Sequence, residues 1–290
     1  VTKLRTTPLH RDFGVEVHDV SLKEITATQG YDELRRLFEE HSLLLFRDQD
    51  LSDEAQLEFG ALFGPLEDRH DRPKPEISPV ANLDATGAVI ASDADTHVKN
   101  LRANFLWHTD STFLPVPALV NVLQARILPN QGGETELVST RAGFARLSTD
   151  LQQRLRKTVF RHRYAHSRAK IDPELAKQAL FTKWSDQEWK AVWRNPVTGT
   201  ESLYIASHVC AVSGMDEAEG LAFVDELVDE MTVPEAIYSH VWRPNDVLVW
   251  DERATLHRGR AWPYEQARKL VSCCVSLQAR DGLEDMRARI

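Results

Sequence analysis

The chain has 290 residues, 42% hydrophobic and 27% charged, with a net charge of -9. That length and balance belong to a globular protein able to bury a substantial core, in one large domain or two small ones. The acidic surplus argues against a nucleic-acid backbone as partner, and no apolar run approaches membrane-spanning length.

A small anionic substrate stays open, because a pocket can carry local positive charge. Cys210, Cys273 and Cys274 form no disulfide framework and read as small buried hydrophobes in a reducing compartment. Adjacent Cys273 and Cys274 should face opposite sides of a strand. Val1-Thr2-Lys3-Leu4-Arg5 opens no apolar signal segment, so a soluble cytoplasmic protein is expected.

Phe13 to Leu22 alternates loosely and predicts an early strand with Val15, Val17 and Val20 as its apolar positions. Tyr31 to His41 places Leu34, Leu37 and Phe38 at helical spacing. Leu43 to Phe46 is a buried strand, and Ser52 to Phe63 a second helix capped by Ser52 or Asp53. Residues 67–103 are polar and turn-rich, with Asp68, Arg69, His70, Asp71, Arg72 and Pro73 in succession and one short strand near Ile77 to Val80. Segments of this kind are active-site lids or disordered stretches, and this one, leading straight into His108, reads as lid-like.

Ala118 to Leu128 and Glu134 to Val138 predict strands around the turn Pro129-Asn130-Gln131-Gly132-Gly133. Thr140 to Val159 predicts one helix. Residues 167–191 are charged without period and read as an insertion, helical in part. Pro196 to Thr200 is a hairpin turn, and Glu217 to Met231 an amphipathic helix. Ser239 to Trp242, Asp246 to Trp250 and Leu270 to Leu277 read as strands. With no repeat and no clear linker, residues 1–290 read as a single mostly-β domain with peripheral helices, for which sheet on sheet is the natural architecture.

The chemistry centres on Asn104-Phe105-Leu106-Trp107-His108-Thr109-Asp110. In a strand, side chains two apart share a face, so His108 and Asp110 can meet one metal ion. Two such ligands plus a distant histidine make the facial triad of non-haem Fe(II) oxygenases. His10-Arg11-Asp12 repeats the tripeptide, so the spacing alone decides nothing. Among eleven histidines, His257 is the best third ligand, because it follows the apolar strand ending at Trp250 and a turn. Arg268 should lie on the next strand, where its guanidinium fork can take a carboxylate. Satisfied core histidines remain the competing account at this point.

The pieces Trp107 to Phe113, Gly132-Gly133-Glu134-Thr135, Asp246 to Asp251 and Leu256-His257-Arg258-Gly259 resemble the taurine dioxygenase and 2,4-dichlorophenoxyacetate dioxygenase family. Leu43 to Gln49 and Phe63 to Glu67 match its pattern too, and the likeness runs from Pro8 through Arg268. The resemblance implies a double-stranded β-helix, or jelly roll. It implies Fe(II) held by His108, Asp110 and His257, and 2-oxoglutarate as co-substrate with its far carboxylate on Arg268 and Thr135. With O2 the co-substrate becomes succinate and CO2 while the substrate is hydroxylated. A homo-oligomer, dimer to tetramer, is also implied. His10-X-Asp12 lacks all of these neighbours and is set aside.

For the substrate, Asn104 matches a pocket-lining position of the family. His208 matches a histidine found in phenoxyalkanoate-degrading members. Many members carry a second arginine four residues after the one that holds 2-oxoglutarate; here that position is Ser272. An anionic substrate must then be met elsewhere, by Lys99, Arg102, Arg69, Arg72 or His208. The short serine should widen the pocket. Hydroxylation of an aryloxyalkanoate beside its ether oxygen, with collapse to a phenol and an oxo acid, is the first expectation. Taurine, an alkylsulfonate or another small acid is the alternative, and a non-redox metal enzyme on a similar barrel is the alternative of a different class.

Overall fold

The computed structural model describes residues 3–69, 72–92 and 94–288. Two sheets carry the fold. The larger has seven strands in the order Thr6–Pro8, Val15–Val17, Leu43–Phe46, Val247–Asp251, Ala118–Ile127, Lys269–Ser276 and Ser78–Ala81. The smaller sets Thr135–Ser139 between Tyr238–His240 and Thr255–Gly259. A further three-stranded sheet joins Val209–Val212, Val159–His162 and Gln187–Lys190, and Val192–Arg194 pairs with Glu201–Leu203 across the expected hairpin turn.

The central strands are apolar on both faces because each face has its own cover. Leu44 and Phe46 pack with Leu34, Phe38 and Phe59 of the helices Tyr31–His41 and Asp53–Ala61. Leu43 and Leu45 pack instead with Leu137 of the small sheet and with Trp242, Leu248 and Trp250. The same period of two sorts strand Lys269–Ser276. Val271, Cys273 and Val275 join the helical side, while Leu270 and Ser272 face the interior between the sheets. Cys273 and Cys274 thus lie on opposite faces, and all three cysteines are free and buried. Helix Glu217–Met231 packs on strand Val209–Val212 and on helix Thr140–Arg146, which itself lies on the small sheet; Val224, Leu227 and Met231 share one apolar cluster with Val212, Phe144, Val138 and Leu256.

Several sequence expectations are corrected. The early strand is only Val15–Val17, because Asp19 takes φ 59 and a 3-10 turn follows at Leu22–Glu24. The helix over Thr140 to Val159 breaks in two, at Thr140–Arg146 and Thr149–Leu155. Leu147 is extended, Ser148 caps the second helix, and Gln152 Nε2 donates to the carbonyls of Phe144 and Leu147 that the break frees. Val159 then starts a strand. The stretch 167–191 is helical in part, with short helices at Pro173–Ala176 and Ala179–Thr182, but it ends in a sheet strand, Gln187–Lys190, that the charged sequence did not announce. In 67–103, Ser78–Ala81 adds to the sheet edge beside Lys269–Ser272, and Asp95 caps helix Thr96–Arg102. His70 and Asp71 lie outside the described residues. No helix among the described residues is long and apolar enough to cross a membrane.

Candidate active site

His108 is not in a strand, as the spacing suggested. It forms an isolated bridge with His257, each backbone N–H donating to the other's carbonyl at 3.0 and 2.9 Å. The next residues turn. Thr109 Oγ1 reaches the carbonyls of Ile205 and Thr255, Asp110 N donates to Glu252 Oε2 at 2.9 Å, and Ser111 takes φ 59. The bridge fixes one imidazole and the turn swings the carboxylate beside it. His257 sits mid-strand in Thr255–Gly259, just past the turn that follows Asp251.

The three side chains converge. Asp110 Oδ1 lies 3.7 Å from His108 Nε2, Asp110 Oδ2 lies 3.6 Å from His257 Nε2, and the rings are 4.2 Å apart. One ligand atom from each falls within 4.8 Å of the others, the one such group among the described residues. His10 and Asp12 bond locally and to Glu235 O and Arg146 at the surface.

The donors suit a divalent metal. His108 Nδ1 is 2.7 Å from Leu106 O. A carbonyl only accepts, so Nδ1 carries the proton and the Nε2 lone pair faces the site. Burial pulls the His108 imidazole down, and burial with His108 pulls His257 down to about 3, so both are neutral ligands near pH 7. Burial alone would raise Asp110. The histidines and Arg69 outweigh it and hold the carboxyl below its usual range.

Behind the triad, Asn121 Nδ2 donates to Asp110 Oδ2 at 2.7 Å, and Ser272 Oγ donates to Asn121 Oδ1 at 2.8 Å. Glu252, pushed well up by burial and by Asp110, accepts from Asp110 N and from Trp250 Nε1.

The triad opens into a cavity of about 250 Å³. Arg268 and Thr135 line one part of it. Arg268 donates from Nε and Nη2 to Gly133 O, stacks 4.7 Å over Trp262, and lies in no ion pair among the described residues. Burial lowers it to about 10, so it stays a cation near pH 7. Thr135 Oγ1 accepts from Trp242 Nε1, which leaves its hydroxyl proton to donate. Gly133 is needed here: it takes φ +75, and a Cβ would stand 2.8 Å from Arg268 Nε.

The other side is aromatic. Phe113 stacks on Tyr164 at 3.7 Å, and His208 meets both rings edge-on. His208 is buried, not a hairpin-surface residue. Burial, then Arg168, lower it far enough to keep the imidazole neutral, so it can donate or accept a hydrogen bond but brings no charge. Asn104 lines the cavity. Ser272 lines it too, with its hydroxyl committed to Asn121. Lys99 and Arg102 do not line the cavity: Lys99 pairs with Asp172, and Arg102 is exposed. Arg69 lines the cavity already paired to Glu67 at 2.7 Å. Arg72 pairs with Glu76 and is outside it.

Sequence reasoning missed Arg168, Asn121 and Glu252. Arg168 sat in a charged stretch with no period to mark it. Asn121 carried a signal, as a lone amide inside an apolar strand, where a buried polar group needs a partner.

Two histidines and a carboxylate converging on one side, with an open cavity on the other, define a facial-triad site of the non-haem iron oxygenase type. The Taurine catabolism dioxygenase TauD, TfdA family matches residues 5–274. The alpha-ketoglutarate-dependent 2,4-dichlorophenoxyacetate dioxygenase of Cupriavidus pinatubonensis is 34% identical, over 91% of this chain and 94% of its own. The (S)-phenoxypropionate/alpha-ketoglutarate-dioxygenase of Sphingobium herbicidovorans is 33% identical over 90% and 91%. The crystal structure of AAD-2 in complex with Mn(II) and N-oxalylglycine superposes with a TM-score of 0.89 at 29% identity, covering 96% of this chain and 99% of that one. The chain belongs to the TauD/TfdA family, and it is an Fe(II)- and 2-oxoglutarate-dependent dioxygenase.

Proposed function

We propose that this dioxygenase hydroxylates an aryloxyalkanoic acid at the carbon beside the ether oxygen. The observation that carries the reading is the wall of Phe113, Tyr164 and His208 in the cavity that holds the triad. A flat aromatic ring is its natural occupant. The relatives named for phenoxyacetate and phenoxypropionate substrates support it. Ser272, where a second arginine is common, disfavours taurine or another small sulfonate.

His108 Nε2, Asp110 and His257 Nε2 hold the iron in this reading. Arg268 and the Thr135 hydroxyl would hold the far carboxylate of 2-oxoglutarate, a guanidinium fork and a hydroxyl donor lining the same cavity as the triad. An Fe(II) held there would supply the chemistry that links O2-dependent decarboxylation of 2-oxoglutarate to hydroxylation, with one oxygen atom ending in succinate and the other in the product. The chain's own share is orientation and exclusion of water. Trp250, 4.7 Å from the His257 ring, and the Leu106 carbonyl on His108 keep the imidazoles aimed. The hydroxylated product is a hemiacetal or hemiketal, whose C–O bond breaks to give a phenol and an oxo acid.

The facing seven- and three-stranded sheets fit a double-stranded β-helix forming one domain, with 67–103 partly covering the cavity through Ser78, Val80, Asn100 and Leu101. A homo-oligomer and a cytoplasmic location belong to the same proposal. The test is substrate-dependent succinate release by the purified protein with Fe(II), ascorbate, 2-oxoglutarate and air. Phenoxyacetates and phenoxypropionates should stimulate it and release a phenol, and taurine should do little. Robust taurine turnover with no response to any aryloxy acid overturns the substrate class.

A further inference from the structure

Among the described residues four arginines line the cavity, and they fall into two pairs. Arg69 is matched by Glu67, and Arg258 by Glu136, each at 2.7 Å. Arg268 and Arg168 have no carboxylate at ion-pair distance among the described residues. Arg168 is 8% exposed, and its bonds all go to neutral groups. Nε donates to Asn100 Oδ1 at 3.2 Å, Nη1 to Ser167 Oγ at 2.9 Å and Nη2 to Tyr164 OH at 3.3 Å. The guanidinium lies 4.5 Å over the Tyr164 ring and 5.2 Å from that of Phe181.

A buried charge without a counter-charge is strongly unfavourable. Arginine does not escape by losing its proton. Among the described residues, the carboxylate whose charge is felt at Arg168 is that of Asp110, which the triad already commits. Two unmatched guanidiniums therefore face one cavity, and the reaction brings in two anions. Arg268 suits 2-oxoglutarate.

We infer that Arg168 holds the carboxylate of the organic-acid substrate, a role that rests on the aryloxyalkanoate reading above. The placement fits the chemistry of such an acid. Its ring lies against Phe113, Tyr164 and His208, and its carboxylate meets a cation built on the same helix as Tyr164, Tyr164–Ala169. Tyr164 OH accepts from Arg168, so its own proton is available to the same carboxylate. His208 adds a neutral hydrogen-bonding group. The anion is thus received from the helical side of the cavity, where Ser272 on the opposite strand offers no charge.

The test compares 2-phenoxypropionate with its neutral primary amide in succinate-release kinetics. Arg168→Gln should raise KM for the acid roughly a hundredfold or more, the scale expected for losing one member of a desolvated charge pair. KM for the amide and for 2-oxoglutarate should move only a few-fold, which collapses the acid-over-amide preference. A merely structural role would damage acid and amide alike. Should Arg168→Gln fail to fold, Arg168→Lys keeps the buried charge without the fork, and KM for the acid should rise roughly tenfold with the amide unaffected. An unchanged acid-over-amide ratio in the variant that folds overturns the inference. If the wild type ignores aryloxy acids but turns over another carboxylate or sulfonate, and Arg168→Gln abolishes that preference for anions, Arg168 stands and the aryloxy reading falls. A wild type that accepts no organic anion in such a panel overturns both.

Discussion

Asn121 donates from Nδ2 to Asp110 Oδ2 at 2.7 Å, while its own Oδ1 accepts from Ser272 Oγ. Strand Ala118–Ile127 thereby fixes the amide's orientation and aims the carboxylate that the neighbouring turn delivers. Groups that orient metal ligands typically matter by about 10–100-fold in metal affinity. Asn121→Ala should weaken Fe(II) or Co(II) binding on that scale, and Ser272→Ala by less, because it removes only the bond that sets the amide. Titration of metal into the chelator-stripped protein reads both. Equal metal affinity in wild type and Asn121→Ala would sink the orienting role.

His108→Ala, Asp110→Ala and His257→Ala should each abolish turnover with little loss of fold. Their side chains line a cavity rather than fill a core, and a two-sheet fold of this size does not depend on its metal as a small zinc domain does. Near-wild-type melting with no succinate release is the expected result. A variant that kept near-normal activity would remove that residue from the ligand set.

Arg268→Met should raise the 2-oxoglutarate requirement steeply with metal binding intact. Removing one partner of a buried charge pair costs about 2–5 kcal/mol, tenfold in affinity for roughly each 1.4 kcal/mol. Gly133→Ala should act in the same direction, since its Cβ would stand 2.8 Å from Arg268 Nε and displace the guanidinium. Unchanged 2-oxoglutarate dependence in both variants would move the clamp to another cation, with Arg258 the first to examine.

Much of this was legible because strand period and motif order are local properties. Leu43–Phe46, Ala118–Ile127 and Lys269–Ser276 announced themselves by apolar runs, and Glu217–Met231 by its stripe. His108, Asp110 and His257 came from motif context, although the strand geometry invoked for the first two was wrong. A bridge and a turn do what a pleat was expected to do. The break at Leu147 was less legible, since it rests on Gln152 reaching back to two carbonyls. The anion site was harder still. Lys99 and Arg168 look alike in sequence, and only tertiary packing turns one to Asp172 and the other to the cavity.

The fold should also lose stability in mild acid, and His162 gives the sign. It is fully buried, its Nδ1 sits 2.8 Å from Thr112 Oγ1, and Nε2 has no partner among the described residues. Burial pulls its pKa down to about 3, against roughly 6.5 in the unfolded chain. Above both values neither state is protonated and His162 is neutral in the balance. Between them the unfolded chain binds a proton that the folded one refuses, so stability falls as pH drops through the unfolded value. The loss levels off only below the folded one. At pH 5 this one residue should cost about 2 kcal/mol relative to pH 7.5. His166, pulled down to about 4 by burial and by neighbouring cations, acts in the same direction. His162→Gln cannot titrate. It should be less stable at pH 7.5 but lose about 2 kcal/mol less than wild type on going to pH 5. Urea melts of both proteins at the two pH values, with a chelator present so that metal binding contributes nothing, measure the difference. Identical losses in wild type and variant would mean that His162 titrates normally in the folded protein.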